Sequence, residues 1–238
     1  MKLISNGIYD IESWFKIAPP MGADAQWVDG RSAKELARYM TANFPNVPAE
    51  IENILSDFTS SEAVFDWAGE YVTSFADHNL GRGEGRNHDA FMWNDDVVVG
   101  IEGKADESLG SQFIGDAILN ASENKMHRIR GMIKMLFDDA PENHKDLRYQ
   151  LVTATTATLL EANERKAANA VLLVIVFKKK GCYSERRIAE NKADIEKFLS
   201  DIEAKKHGEY FEIPTAYGKE NDISLYFQYI EINLDSSF

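Results

Sequence analysis

One segment constrains the fold more than any other: an uninterrupted apolar run from Ala170 to Phe177. Such a run is typical of a β-strand in the middle of a sheet whose two faces are both covered. The segment 149–168, just before it, is rich in Ala, Leu and Glu and is predicted to be a long helix. A buried strand beside a covering helix predicts an α/β fold with a mixed central sheet. The run is too short to cross a membrane, which needs about 20 residues.

Length and charge narrow the possible functions. The 238 residues suffice for one domain with a sizeable core, so we expect a single domain over 1–238. The 39 acidic side chains exceed the 26 basic ones, and the net charge of −13 disfavours binding of nucleic acid over the whole surface, although a local basic site remains compatible with it. The single cysteine, Cys182, excludes an internal disulfide and is expected to be an unreactive thiol. Because the N-terminal segment lacks the apolar stretch of a secretory signal, we expect a cytoplasmic protein without membrane contact.

Residue periodicity predicts the other elements. Ser32 and Glu35 have the spacing of a capping box, and so do Thr59 and Glu62. The first pair predicts a helix through residue 40, and the second predicts a short helix through Trp67. The remaining predicted helices cover 48–55, 126–137 and 185–206, and the predicted strands cover 70–75, 88–94, 97–104, 209–213 and 223–234.

The strands 88–94 and 97–104 are separated only by an Asp-Asp pair. If these two residues form the hairpin loop, Asp89 lies directly opposite Glu102, with Cβ atoms about 5 Å apart. Asp-Asp is not the preferred sequence for a two-residue loop, so a loop of another length would change this register. Lys104 is two residues beyond Glu102 and therefore projects from the same face.

Two carboxylates and one ammonium group on one sheet face fit a hard divalent cation and a phosphate group. Asp89 and Glu102 would supply oxygen ligands to Mg²⁺ or Mn²⁺, and Lys104 would orient the attacking water or contact the phosphate. On spacing alone, solvated strand charges explain the same pattern. A buried ion cluster with a purely structural role is a further alternative.

These residues resemble the motifs of the PD-(D/E)XK nuclease superfamily, which has the restriction-endonuclease-like fold. Asp89 matches its metal-binding Asp, and Glu102-Gly103-Lys104 match its (D/E)-x-K. Residues 61–177 match its αβββαβ core, which leaves a helical N-terminal extension over 1–58 and a C-terminal helix with strands over 181–238. The resemblance implies hydrolysis of phosphodiester bonds in nucleic acid that depends on Mg²⁺ or Mn²⁺.

More closely, the chain resembles a bacterial family of unassigned activity within or near that fold. The shared segments are WVDGRSA at 27–33, EGKxxExxG at 102–110, RYQL at 148–151 and LLEA at 159–162. The family pattern favours a His-Arg pair where this chain has Thr153 and Ala154. The alternative function is therefore a catalytically inactive module of nuclease fold that binds nucleic acid or a protein partner.

The resemblance also implies roles for residues outside the two strands. Glu62 corresponds to a position for an additional metal-binding acid, and a capping role explains it equally well. Gln150, near the start of the 149–168 helix, corresponds to a polar residue of the site, and so could Glu161 on the same face; helix packing is the alternative for both. His88 precedes Asp89, so it is expected to point to the opposite face and to have a structural role.

A basic stretch on the predicted helix 126–137 and just before it is the best local site for a nucleic-acid backbone. It contains no acidic residue. The alternative is a solvated helix face, and the same two interpretations apply to the lysines at 178–180. The residues predicted to contact nucleic acid are Lys125, Arg128, Arg130 and Lys134.

Overall fold

The computed structural model describes residues 1–83, 85–119, 121–179, 181 and 183–235. Cys182 and the last residue of the lysine run 178–180 lie outside the described residues. The strands are β1 (Lys2–Leu3), β2 (Val64–Thr73), β3 (Arg86–Trp93), β4 (Val97–Lys104), β5 (Asn169–Lys178), β6 (Lys205–His207), β7 (Tyr210–Ile213) and β8 (Ser224–Asn233). In the described part of the chain they form one eight-stranded sheet in the order β1-β2-β3-β4-β5-β8-β7-β6.

Helices cover both faces of this sheet. They are α1 (Ile11–Ile17), α2 (Ser32–Thr41), α3 (Ala49–Leu55), α4 (Ile114–Leu119), α5 (Glu123–Phe137), α6 (Tyr149–Arg165), α7 (Glu185–Asp201) and α8 (Ala216–Asn221). The side chains of α1–α3 pack on one face, and those of α4–α8 pack on the other. The protein is therefore an α/β protein with a mixed sheet, as the sequence predicts. No helix in the described ranges is both long and apolar enough to span a bilayer.

Strand β5 is the centre of the sheet, and this prediction is confirmed. It pairs in parallel with β4 on one side and with β8 on the other. Residues 170–177 are all fully buried. Their side chains alternate between the two cores, because successive residues of a strand point to opposite faces. A strand that must be apolar on both faces accordingly shows no alternation in sequence.

The predicted register of the β3–β4 hairpin is also confirmed. Ala90 pairs with Ile101, and the pairing continues without a shift to the turn. The turn is closed by Asn94, whose backbone N–H donates to the carbonyl of Val97 at 3.1 Å. The Asn94 side-chain oxygen accepts hydrogen bonds of 2.9 Å from the backbone N–H groups of Asp96 and Val97. This side chain stabilises a two-residue loop that the Asp-Asp pair alone does not favour.

The predicted helix from Thr59 through Trp67 is wrong. Strand β2 begins at Val64, and Phe65 and Trp67 are buried while Val64 and Asp66 are exposed. This two-residue period defines a strand with one buried face. The Thr59 hydroxyl donates to the Asp96 carboxylate at 2.6 Å instead of capping a helix.

Two further details differ from the sequence prediction. Helix α2 forms, but its N-cap is Arg31, and the Ser32 hydroxyl donates to the Glu107 carboxylate at 3.1 Å. Helix α7 ends at Asp201 rather than near residue 206. The basic residues 205–207 form the edge strand β6, which turns at Gly208 (φ 56°) into β7. The positive φ at this turn is one that glycine adopts without strain.

Candidate active site

Three carboxylates lie side by side across three neighbouring strands. The β2–β3 pairs Gly69–Ala90 and Tyr71–His88 flank Glu70 and Asp89, and the β3–β4 pairing ends at Ala90–Ile101, the pair next to Asp89 and Glu102. The Lys104 ammonium lies 3.9 Å from Asp89 Oδ2 and 3.9 Å from Glu102 Oε2. The structure thus brings together the three residues expected from the hairpin and adds a fourth, Glu70.

Glu102 is buried and has hydrogen-bond partners on both oxygens. Its Oε2 accepts hydrogen bonds from Arg86 and, at 2.8 Å, from Gln150 Nε2. Its Oε1 lies 3.1 Å from His88 Nδ1. Burial alone would raise the pKa of Glu102, but the positive charges of Arg86 and Lys104 and the bond to His88 outweigh it and lower that pKa. Glu102 is therefore ionised at neutral pH.

Asp89 is more open to solvent, with 27 % of its side chain exposed. Its Oδ2 accepts a hydrogen bond of 2.8 Å from the backbone N–H of Gly103. Loss of water around the carboxyl and the nearby charge of Glu102 raise the pKa of Asp89, against the attraction of Lys104. Asp89 therefore holds its proton more tightly than an ordinary aspartate.

Glu70 is the site residue that the sequence does not indicate. It lies in β2 with φ 48°, a left-handed conformation that is unusual for a non-glycine residue. Its Oε2 accepts a hydrogen bond of 2.5 Å from Asn87 Nδ2. Burial and the charge of Asp89 raise the pKa of Glu70 to about 7. Its position next to Asp89 depends on the β2–β3 pairing, which no short turn fixes in sequence.

His88 does not lie on the opposite face from the site, contrary to expectation. Its ring is fully buried, contacts Glu102, and packs against Phe91 with ring centroids 5.4 Å apart. The neighbouring Ala90 packs in the core formed by α1–α3, whereas Phe91 packs in the core on the other face. The alternation of faces is therefore interrupted between residues 88 and 90, at the level where Glu70 adopts its left-handed conformation.

Of the other predicted site residues, one lies at the site and two lie away from it. Gln150 lies at the site through its bond to Glu102. Glu62 lies in the exposed turn before β2, eight residues from Glu70 and so about 25 Å away along the chain. Glu161 accepts a hydrogen bond of 3.0 Å from Tyr71 and pairs with Arg165 instead of facing the site. Glu62 and Glu161 are therefore removed from the candidate site.

A cleft of about 350 Å³ opens beside the carboxylates. Its lining residues are Phe75, Gly85, Arg86, Gly110, Ser111, Gln112, Arg128, Tyr149, Gln150 and Thr153. Arg86 and Gln150 also bond to Glu102, so the cleft leads directly to the cluster. No Asp or Glu is among the lining residues that the structure describes.

The residues of the predicted basic stretch lie in two places, because the helix directs them to different surfaces. Arg128 lines the cleft, and the Lys125 ammonium lies above the Tyr149 ring, 5.5 Å from its centroid. Arg130 and Lys134 lie together outside the cleft, on a surface shared with acidic residues, where Lys134 forms an ion pair with Asp138. Only the first half of the stretch is therefore placed to contact a ligand at the site.

The carboxylates supply the oxygen donors that Mg²⁺ prefers. Glu70 and Asp89 both have raised pKa values, mainly because burial removes water from their carboxyl groups, and a neighbouring carboxylate adds to the effect in each case. Within the described ranges, no group of three His, Cys, Asp or Glu side chains is already arranged to hold a metal ion. Arg86 and Gln150 occupy the Glu102 oxygen that faces Lys104. The donor set therefore fits a hard cation at Glu70 and Asp89, and Glu102 is available to it only when Arg86 turns away.

Comparison with known proteins gives one match. No curated protein and no solved structure matches the chain. A family model described as a domain of unknown function, DUF6946, matches residues 8–234. Since this match covers almost the whole sequence, the chain belongs to the DUF6946 family.

Proposed function

We propose that the protein is a metal-dependent phosphodiesterase of the PD-(D/E)XK type that cleaves nucleic acid. The observation that carries this proposal is the position of the Lys104 ammonium, 3.9 Å from both Asp89 and Glu102. The Glu102 carboxylate is in turn bonded to two residues that line the cleft, Arg86 and Gln150. The order of elements also supports it, because α3, β2, β3, β4, α6 and β5 occur in the order of the αβββαβ core of that superfamily, with α4 and α5 inserted between β4 and α6.

Asp89 and Glu70, joined by Glu102, would hold Mg²⁺ or Mn²⁺, which would lower the pKa of a bound water and neutralise charge on the phosphate. Lys104 donates hydrogen bonds to the attacking water or to a phosphate oxygen, since its ammonium lies between the two carboxylates. Gln150 holds the Glu102 carboxylate in place through its 2.8 Å bond. Arg86, when it leaves Glu102, can neutralise a phosphate in the cleft that it lines.

The test is hydrolysis of labelled single-stranded and duplex DNA and RNA by the full chain with millimolar MgCl₂ or MnCl₂. We expect cleavage, and a loss of about 100-fold or more in Asp89→Asn and in Lys104→Ala. Lys134→Ala is the matched control, because Lys134 is a lysine outside the cleft. If no substrate is cleaved, or if Asp89→Asn and Lys104→Ala cleave as fast as the wild type, the proposal is refuted.

One observation favours a second candidate, an inactive module that binds nucleic acid or a protein. The Arg86 guanidinium is bonded to Glu102, where it neutralises a carboxylate that a cation would otherwise use. If this pairing is permanent, divalent cations will not stabilise the protein. Thermal melting with and without Mg²⁺ therefore separates the two candidates.

A further inference from the structure

The cleft beside the carboxylates differs in charge from the rest of the protein. The chain carries a net charge of −13, yet the described lining residues include two arginines and no acid. We propose that this cleft binds single-stranded nucleic acid, one nucleotide at a time, with the phosphate held by Arg86, Arg128 and Lys125. The inference rests on the proposed function for its substrate class, and it adds which form of nucleic acid the site accepts.

Two of the three cations have no competing carboxylate. In the part of the chain that the structure describes, neither Arg128 nor Lys125 forms an ion pair with an acidic residue. Arg128 is instead held by two backbone carbonyls, with Nε 3.2 Å from Leu80 O and Nη2 2.9 Å from Arg82 O. These bonds fix the guanidinium without neutralising it, so its charge is available to an anionic ligand.

Arg86 also has unused hydrogen-bonding capacity. Its guanidinium contacts Glu102, but its buried Nε has no acceptor among the described residues. A guanidinium has five N–H donors, so one face can contact a carboxylate while another contacts a phosphate. Arg86 thus lies between the cleft and the carboxylate cluster and can contact groups in both.

The remaining walls suit a nucleoside. The Tyr149 ring lines the cleft, and the Lys125 ammonium lies 5.5 Å from its centroid. A basic groove that includes an aromatic ring is the combination by which proteins bind single strands, since a base can stack on the ring whatever its identity. Thr153 and Gln150 add polar groups for orientation.

The size and charge of the cleft favour a single strand over a duplex. A volume of about 350 Å³ is at the low end for small-molecule sites, which measure about 300–1,000 Å³. Duplex binding draws on many phosphate contacts along the backbone, often about 6–10. Here Arg130 and Lys134, the next basic residues along α5, lie outside the cleft beside Asp138 and Asp139. Two arginines line the cleft and Lys125 lies beside it over the Tyr149 ring, so three cations can reach the ligand, which is too few for a duplex.

The test is binding of a fluorescein-labelled single-stranded oligonucleotide of ten thymidines, followed by fluorescence anisotropy in EDTA. Without divalent cations, binding is measured independently of cleavage. We expect the single strand to bind at least about tenfold more tightly than a duplex of the same length. Because no more than these three cations can reach the ligand, log K should fall with log[KCl] with a slope no steeper than about −2. Equal affinity for the duplex, or a steeper slope, would overturn the inference.

Variants on one helix provide the control. Arg128→Gln and Lys125→Gln should each weaken binding about tenfold and make the salt slope shallower. Arg130→Gln, on the same helix but outside the cleft, should leave binding unchanged. Since Arg128 also holds two backbone carbonyls, its variant is checked by thermal melting, and Lys125→Gln tests the same site without that contact. Equal weakening by Arg130→Gln would overturn the inference.

The same assay separates this inference from the proposed function. Asp89→Asn should bind the single strand but not cleave it. Binding that depends on Arg128, without cleavage under any divalent cation, would support the cleft as a single-strand site and refute the phosphodiesterase. Cleavage that does not depend on Arg128 or Lys125 would support the phosphodiesterase and refute the cleft as a single-strand site.

Discussion

Glu70 lies next to Asp89 across the β2–β3 pair, and burial together with the charge of Asp89 raises the pKa of Glu70 to about 7. In the unfolded chain a glutamate loses its proton near pH 4.3. Between about pH 4.5 and 7 the folded state therefore binds more protons than the unfolded state, and stability falls as the pH rises through this window. Glu70→Gln has no carboxyl group to ionise and so removes this pH-dependent loss of folding stability.

We accordingly expect Glu70→Gln to be more stable than the wild type by about 1–2 kcal/mol at pH 8, with a difference near zero at pH 4.5. Urea unfolding at the two pH values measures it. Glu62→Gln, an exposed glutamate before the same strand, is the control. A difference that does not change with pH would show that the Glu70 charge is not the cause.

Divalent cations should stabilise the folded protein at the same site. At tenfold excess over Kd, Mg²⁺ or Mn²⁺ should add about 1.4 kcal/mol, or roughly 3–6 °C in Tm. The shift should be smaller at pH 5.5 than at pH 8, because protons compete for Glu70 and Asp89, whose pKa values are raised. Thermal melting of the wild type and of Asp89→Asn measures both effects. An equal shift in the variant would place the cation elsewhere.

Arg86 should stabilise the protein only while no divalent cation takes its place beside the Glu102 carboxylate. Its removal leaves the buried Glu102 carboxylate with less positive charge, which typically costs about 3 kcal/mol. We expect Arg86→Gln to lose about 2–4 kcal/mol in EDTA and to regain much of this in saturating Mg²⁺. The control, Arg186→Gln, removes an exposed arginine paired with Glu190 and should cost less than about 1 kcal/mol. A loss in Arg86→Gln that Mg²⁺ does not change would favour the inactive-module candidate.

Gly69, next to Glu70, allows α1 to pack closely on β2. A Cβ at this position would lie 2.6 Å from the Trp14 indole, which itself packs edge-on against Trp67. We expect Gly69→Ala to destabilise the protein by about 2 kcal/mol in urea unfolding. Gly103→Ala is the comparison, because a Cβ there would make an ordinary contact of 3.4 Å with Leu36. Equal stability of the two variants would contradict the crowding at Trp14.

Much of the fold follows from local patterns. The run 170–177 predicts the central strand because burial on both faces leaves no polar position. The register of the β3–β4 hairpin, which brings Asp89 close to Glu102, follows from loop length alone, because one turn fixes the register of a hairpin. The end of α7 could not be predicted in this way, since the basic residues 205–207 suit a helix terminus as well as an exposed edge strand.

The candidate site was only partly predictable for a related reason. Asp89, Glu102 and Lys104 share one hairpin, and Gln150 follows from a family motif. Glu70 and Arg86 approach them from strand β2, whose start is mispredicted, and from the first residue of β3. Their positions depend on the β2–β3 pairing and on a left-handed residue, and neither leaves a periodic signal in sequence.

The turn closed by Asn94 lies five residues from Asp89, about 17 Å along the strand. The number of residues in that turn nevertheless sets the register of the two strands. It therefore determines which side chains of β4 lie next to Asp89 at the opposite end of the hairpin. One inserted residue would turn Glu102 and Lys104 to the other side of the sheet. The cluster can therefore be dismantled from a distance, with each of its charged residues still present.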